Sequence, residues 1–428
     1  MTDTLLHCER SQLDNGVQVL VVPMPRLHSV VIEAQLRAGP RYESAEDTGL
    51  SHFLEHMLYR GTVSHPSAHE QALAFETRGG TLSAATYLDH GSLGIAIPPE
   101  SFGAVMELFG EVYRAPIFSK LEIEQNIVRE EILEGLDDAG NEIDPDNLVR
   151  RLAYGDSALG RPITGTTDRV SQMSRQQVAA HHAQLYVGCN TVLTIAGAVT
   201  VDSALTAAQR VFGDLARGTP ITPEAAQAER GPRFLYVPHA SSQTQLRIAF
   251  HGPGEHEPLE AATDMLLRIL DDGMSTRLYH QICDERGLCY DVSATYEAYA
   301  DTGLFDIATE SEHERAPEVL QEVLNLLEDL AANGPTPAEL DKAKARYRFQ
   351  LDELVDHPAE AAEFFGFGAL TGVARTPQER WQQFSALGRA DLRAAAEKLF
   401  ERGGLHVVGV GGAKKRVQST LREMVTAR

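Results

Sequence analysis

The sequence predicts an α+β fold built as two similar halves, and three observations carry that expectation. The first 60 residues read as strand, turn, strand and helix: GVQVLVV, a Pro-containing turn, SVVIEAQL with period-two alternation, then a helical pattern beginning near Thr48. A second run of the same kind follows much later. GGTLSAATYLDHGSLGIAIP, FGAVMELFGEVYRAPI and EIEQNIVREEI are answered by GLCYDVSATYEAYADTGLFDIA, EVLQEVLNLLEDLA and ELDKAKARYRF. Matching SAATY at 83–87 with SATY at 293–296 sets an offset of 209 residues, close to half of the 428. Between the two runs, residues 216–232 are poor in large apolar side chains and carry Pro220, Pro223, Gly231 and Pro232, the composition of a linker. The expected divisions are 1–217, a linker at 218–232, and 233–428.

Composition narrows the function classes. With 43% hydrophobic and 23% charged residues the chain reads as an ordinary globular protein, long enough for two or three domains. The N-terminus MTDTLLHCERSQLDNGVQVL has no basic start before an apolar run, and no stretch of about 20 apolar residues occurs, so neither secretion nor a membrane span is expected. Cys8, Cys189, Cys283 and Cys289 form no CxxC pair, which suits a reducing, cytoplasmic compartment and argues against a cysteine metal site. The formal charge of −23 would repel nucleic-acid phosphates and gives the chain a well-solvated surface.

The halves are not chemically equal. In HFLEHMLYRGT, His52 and His56 stand four apart, so on a helix both imidazoles leave one face and can share a metal, while Glu55 lies beside them. This HxxEH order places a carboxylate next to the metal without using it as a ligand. A catalytic zinc needs a third protein ligand and an open position. In EIEQNIVREEI, Glu124, Val128 and Glu131 recur on one helical stripe; Glu131 is the expected third ligand, with Glu130 the alternative and Glu124 a carboxylate that orients a ligand or a water. The second half lacks HxxEH, and aligning the last helices puts Arg348 opposite Glu131. A short pattern arises by chance in a chain with 16 His, so the motif alone decides little.

The surrounding segments decide more. LDNGVQVLVV, RAGPRYE, HFLEHMLYRGT, EIEQNIVREEI, LGRPITGT, LYVGCNTVLTIAGAV and DDGMSTRLYHQICDERGLCYDV, in this order, make the chain resemble the pitrilysin or insulinase-type metallopeptidases, the inverzincins, and within them the bacterial members similar to mitochondrial processing peptidase. The resemblance implies an α/β sandwich in two homologous halves, each a mostly antiparallel sheet packed with helices, closing as a clamshell on the substrate. It implies one Zn2+ per chain on His52, His56 and Glu131, the last following His56 by 75 residues, and it places the family's further Glu at Glu124. The stretch after Gly79 and Gly80 resembles the family's edge strand, which binds extended peptide by β-augmentation; Gly80, Ser83, Ala84 and Thr86 are the substrate-binding candidates there, with Ser83 standing where the family commonly has Asn.

One departure matters. Members that act alone carry an Arg and a Tyr seven apart in the second half, which hold the substrate carbonyl. Tyr290 matches the Tyr and becomes both a catalytic and a substrate-binding candidate, but Cys283 occupies the Arg position; Arg286 and Arg277 are the nearby cations. Losing such a donor costs about 3 kcal/mol or more of transition-state stabilisation. The expectation is a zinc metalloendopeptidase with Glu55 as general base, working as the catalytic subunit of a heterodimer whose metal-free homologue supplies the Arg/Tyr pair, with a homodimer as the other arrangement. The rival readings are a non-catalytic structural subunit of the same fold and a chaperone that binds extended peptides without cutting them.

Overall fold

The computed structural model describes residues 6–373 and 376–426. Residues 1–5, part of the N-terminal stretch read for a targeting signal, lie outside the described residues. Among the described residues no helix is long and apolar enough to cross a membrane.

Among the described residues two sheets are present. The first contains β1 (Glu9–Gln12), β2 (Gln18–Pro23), β3 (Val30–Leu36), β4 (Ser83–Thr86), β5 (Gly91–Ile97) and β6 (Thr191–Gly197), in the order β1-β2-β6-β3-β5-β4. The second contains β7 (Arg233–Pro238), β8 (Gln243–Gly252), β9 (Val292–Ala298), β10 (Gly303–Glu312) and β11 (His406–Gly411), in the order β7-β11-β8-β10-β9. In each sheet one pair is parallel, β2 with β6 and β7 with β11, and the other neighbours are antiparallel. With β1 set aside, the strand orders coincide. The matched SAATY and SATY segments fall on β4 and β9, the equivalent edge strands, so the internal repeat is structural.

The chain forms two compact units, and they are not continuous in sequence. One gathers the chain to Leu133 with Pro162–Glu224 and Gln350–Gln378; the other gathers Glu134–Arg161, Ala225–Phe349 and the chain from Glu379. Within the first, the helix Pro358–Thr371 lies on β6, β3 and β2, where Phe365 packs among Leu20, Val22, Val31 and Val192. That cover explains why SVVIEAQL does not alternate: β3 is buried on both faces apart from the half-buried Glu33. Within the second, the helix Pro145–Tyr154 packs on β11, β8 and β7, and the buried Tyr154 hydroxyl donates to the Gly303 carbonyl at 2.8 Å. Each unit thus takes one helix from the other half of the sequence. Residues 216–230 have no regular secondary structure.

Candidate metal centre

The HxxEH segment forms the helix Leu50–Leu58, held down by its apolar face of Leu50, Phe53, Leu54, Met57 and Leu58. Its start is fixed by two devices. Gly49 takes a left-handed φ of 92° and lies so close to Gly165 that an added Cβ would come within 2.7 Å of that residue's Cα. The buried Glu43 carboxylate accepts from the Gly49 and Ser51 amides at 2.9 and 2.6 Å, satisfying donors that a helix N-terminus leaves free. Ser51 Oγ also shares a 2.9 Å hydrogen bond with His181 Nε2, whose pKa burial pulls down to about 4, so that ring is neutral.

On this helix His52 and His56 come together with ring centroids 4.6 Å apart. The helix Leu121–Glu134 supplies the third group, turning Val128 and Glu124 inward on the stripe that carries Glu131. His52, His56 and Glu131 each offer a ligand atom within 4.8 Å of the others; Glu130, the alternative, is not in the cluster. His52 Nε2 stands 3.4 Å from Glu131 Oε1, and His56 Nε2 stands 3.5 Å from Oε2. These separations are long for hydrogen bonds. They match the spacing of about 3.4 Å between ligand atoms that each lie about 2.1 Å from a tetrahedral zinc. Two imidazole nitrogens and one carboxylate are the donor set of many catalytic zinc sites, so the residues present fit the ion.

The surrounding charges favour a cation. Glu124, only 4% exposed, accepts from His56 Nδ1 at 2.9 Å through Oε1 and pairs with Arg60 Nε through Oε2. With Nδ1 so engaged, His56 presents Nε2 toward Glu131. Burial lowers the affinity of His56 for a proton, but Glu124 and Glu131 outweigh it and raise its pKa to about 9. The two imidazoles hold the Glu131 carboxyl far below the usual carboxylate range. Burial opposes ionisation of Glu124, yet His56 and Arg60 together keep it below its ordinary value.

Glu55 lies on the same helix with Oε2 accepting the Thr86 hydroxyl at 2.6 Å. Beside it a small pocket is lined by Ala38, Ser51, Leu54, Thr86 and Tyr186. Thr86 and Ala84 belong to β4, which pairs with β5 and ends the sheet, so among the described residues no further strand pairs with its outer edge, where the Ala84 backbone bonds the Tyr59 side chain. Ser83 is exposed there, its hydroxyl donating to the Gly94 carbonyl at 3.1 Å. Gly80 is buried instead: a Cβ would lie 2.6 Å from Ala96 O and Ile97 Cγ2, so its place in the structure is close packing against β5.

Tyr290 belongs to the second compact unit and is 93% exposed. Cys283 turns toward Cys289, with sulfurs 3.5 Å apart, and burial followed by that neighbour pushes its thiol up to about 12. It is uncharged at neutral pH. Arg277 is locked by Glu339 at 2.6 Å and Asp329 at 2.8 Å, and Arg286 pairs with Glu322 at 2.7 Å, so both nearby cations are engaged. Two further contributors to the site, Arg60 and His181, escaped the sequence reading. Arg60 stands four residues after His56, a spacing that offered a signal; nothing in the sequence pairs His181 with Ser51.

Family models match most of the chain: insulinase, peptidase family M16, over residues 19–167, and the peptidase M16 inactive domain over residues 172–347. The chain belongs to peptidase family M16. The inactive-domain match falls largely on the half without HxxEH. Among relatives of this M16 chain is an uncharacterized zinc protease of Mycobacterium bovis, 28% identical, with 97% of this chain and 96% of the relative covered. Another from Bacillus subtilis is 27% identical, covering 92% and 95%. Two solved structures share the M16 fold. A protease from Helicobacter pylori has a TM-score of 0.88 at 20% identity, covering 95% of this chain and 100% of that one. A peptidase M16 inactive domain from Pseudomonas fluorescens has a TM-score of 0.87 at 22% identity, covering 96% and 100%.

Proposed function

We propose that this chain is a zinc-dependent endopeptidase acting on extended peptides, with His52, His56 and Glu131 holding one zinc ion and Glu55 as general base. The observation that carries the reading is the convergence of His52, His56 and Glu131 at tetrahedral ligand spacing, with Glu55 on the same helix. When bound, zinc supplies Lewis acidity to the scissile carbonyl and lowers the pKa of water toward about 7. Glu55, oriented by the Thr86 hydroxyl, takes the proton of the attacking water and hands it to the leaving amine. Glu124 fixes the His56 ring through Nδ1. The outer edge of β4, with which no other strand pairs among the described residues, would take an extended substrate, with Ser83, Ala84 and Thr86 along it.

The second half favours a division of labour. A neutral Cys283 cannot polarise a carbonyl as a guanidinium does, and Arg277 and Arg286 already serve carboxylates. We therefore assign this chain the catalytic part of a heterodimer whose metal-free homologue supplies the Arg/Tyr pair. We also place the chain in a reducing, cytoplasmic compartment, since its four cysteines form no CxxC pair.

Zinc content measured together with cleavage of a mixed peptide library, for the wild type and Glu55→Gln, tests the reading. Stoichiometric zinc in both proteins, with cleavage by the wild type alone, is the expected result once the homologous partner is added. Absence of zinc from the wild type would overturn the metal site and favour a structural subunit. Full cleavage without a partner would remove the heterodimer.

A further inference from the structure

Arg60 lies just past the end of the motif helix and grips the Glu131-bearing helix in two ways. Its guanidinium, with the side chain 17% exposed, pairs through Nε with Glu124. Its carbonyl accepts the Ser119 hydroxyl at 2.7 Å. The next residue continues the seam, the Gly61 carbonyl accepting from the Ile117 amide at 3.1 Å. Ser119 sits between Phe118 and Lys120, the two non-glycine residues with left-handed backbone among those described, at φ 49° and 54°. Such a conformation costs roughly 1–2 kcal/mol per residue and persists where its surroundings impose it. Here the bond from Ser119 to Arg60 sits in the middle of the strained pair, at the point where the chain turns into the helix Leu121–Glu134.

Stability is a poor reason for such a pair. Burying a guanidinium and a carboxylate together gains little over apolar packing, because desolvation offsets the attraction. The division of Glu124's oxygens points elsewhere: Oε2 is held by Arg60 and Oε1 receives His56 Nδ1. A carboxylate gripped at one oxygen cannot rotate, so the imidazole bonded to the other is fixed in both ring orientation and tautomer.

We propose that the Arg60 side chain is a positioning group of the metal centre: it fixes Glu124, and through it His56, while the backbone carbonyl at this position holds Ser119 whatever side chain stands there. The proposal rests on reading His52, His56 and Glu131 as a zinc site. Arg60 touches no ligand atom, so its effect is on metal affinity.

The test uses the full chain stripped of metal. The zinc dissociation constant is measured by competition with a chromophoric chelator for the wild type, His52→Ala, Arg60→Met and Arg60→Lys, alongside the melting temperature of each metal-free protein. Arg60→Met is expected to bind zinc about 10–100-fold more weakly, a loss larger than the lowering of its metal-free melting temperature, itself due to the buried Glu124 losing a partner, accounts for. Arg60→Lys, which keeps the charge, recovers part of the affinity. If His52→Ala binds zinc as the wild type does, the metal-site reading itself fails. If His52→Ala loses zinc while Arg60→Met keeps wild-type affinity, the site stands and the role of Arg60 is overturned. A loss in Arg60→Met that tracks a lower metal-free melting temperature, with no recovery in Arg60→Lys, would assign Arg60 to folding and overturn the proposal as well.

Discussion

Thr86, on the last strand of the first sheet, donates its hydroxyl to Glu55 at 2.6 Å, so the strand proposed to bind substrate and the proposed general base are joined by one hydrogen bond. Replacing Thr86 by Val keeps the shape and removes the donor. A bond to a charged group contributes about 1.5–3 kcal/mol, and loss of even the lower figure corresponds to about tenfold in rate. Thr86→Val is expected to bind zinc as the wild type does and to lose about tenfold or more in kcat. Steady-state cleavage of a fluorogenic peptide, with metal content measured in parallel, checks both halves; an unchanged kcat would free Glu55 from Thr86.

Asp306 gives the second unit a pH dependence of unusual sign. Burial raises its pKa from the ordinary 3.8 to about 7, overcoming the attraction of Arg247, while Asp146 and Glu297 face the same region. Arg247 is shared, 2.5 Å from Asp146 and 3.1 Å from Asp306, and Asp306 Oδ1 finds no hydrogen-bond partner among the described residues. Between pH 4 and pH 7 the folded chain holds a proton there that the unfolded chain has released. The contribution of this group to stability therefore falls as pH rises through that window and is constant above it. Asp306→Asn removes the slope. Melting temperatures at pH 5 and pH 8 should drop less for the variant than for the wild type; equal drops would show that Asp306 ionises normally.

Periodicity made part of this legible in advance. His52 and His56 at four, and Glu124, Val128 and Glu131 on one stripe, are helix arithmetic; that the two stripes would meet came from the family resemblance, and His52, His56 and Glu131 do group in space. The contact from Thr86 to Glu55 depends on how β4 packs against the motif helix, which no local pattern encodes. Cys283 and Cys289 read as scattered thiols, yet they meet because the turn Tyr279–Asp284 is π-helical and closes with the Leu288 amide on the Ile282 carbonyl. The exchange of helices was equally hidden: PAEAAEFFGFGALT announces a helix with a buried face but not which sheet that face will cover.

That exchanged helix makes a stability prediction. Phe365 is 1% exposed on the face of Pro358–Thr371 that packs on β2, β3 and β6. Phe365→Ala should cost about 3–5 kcal/mol through lost burial and the cavity left behind. Hydrogen exchange monitored across β2, β3 and β6 would rise with it. Unchanged protection there would mean that the first sheet holds together without this helix.

Cys283→Arg puts the division of labour to a direct trial. The thiol sits seven residues before Tyr290, at the position where the resemblance leads one to expect an arginine, and burial together with Cys289 raises its pKa, so it is neutral near pH 7. It belongs to the second compact unit, so the substitution changes the identity of none of His52, His56, Glu131 and Glu55. The new side chain is longer than the thiol it replaces, and Cys283 is partly exposed, which gives the guanidinium a route outward instead of into the core. If the missing cation limits the single chain, the variant should cleave peptides at least tenfold faster than the wild type when each is assayed alone, a fraction of the 10²–10³ that loss of such a donor removes. It should also gain less from an added homologue that lacks the metal motif. Measuring kcat/KM for both proteins, with and without that homologue, separates the cases. A wild type that already works at full rate alone, and gains nothing from Cys283→Arg, would show that this chain stabilises the oxyanion by other means and needs no partner.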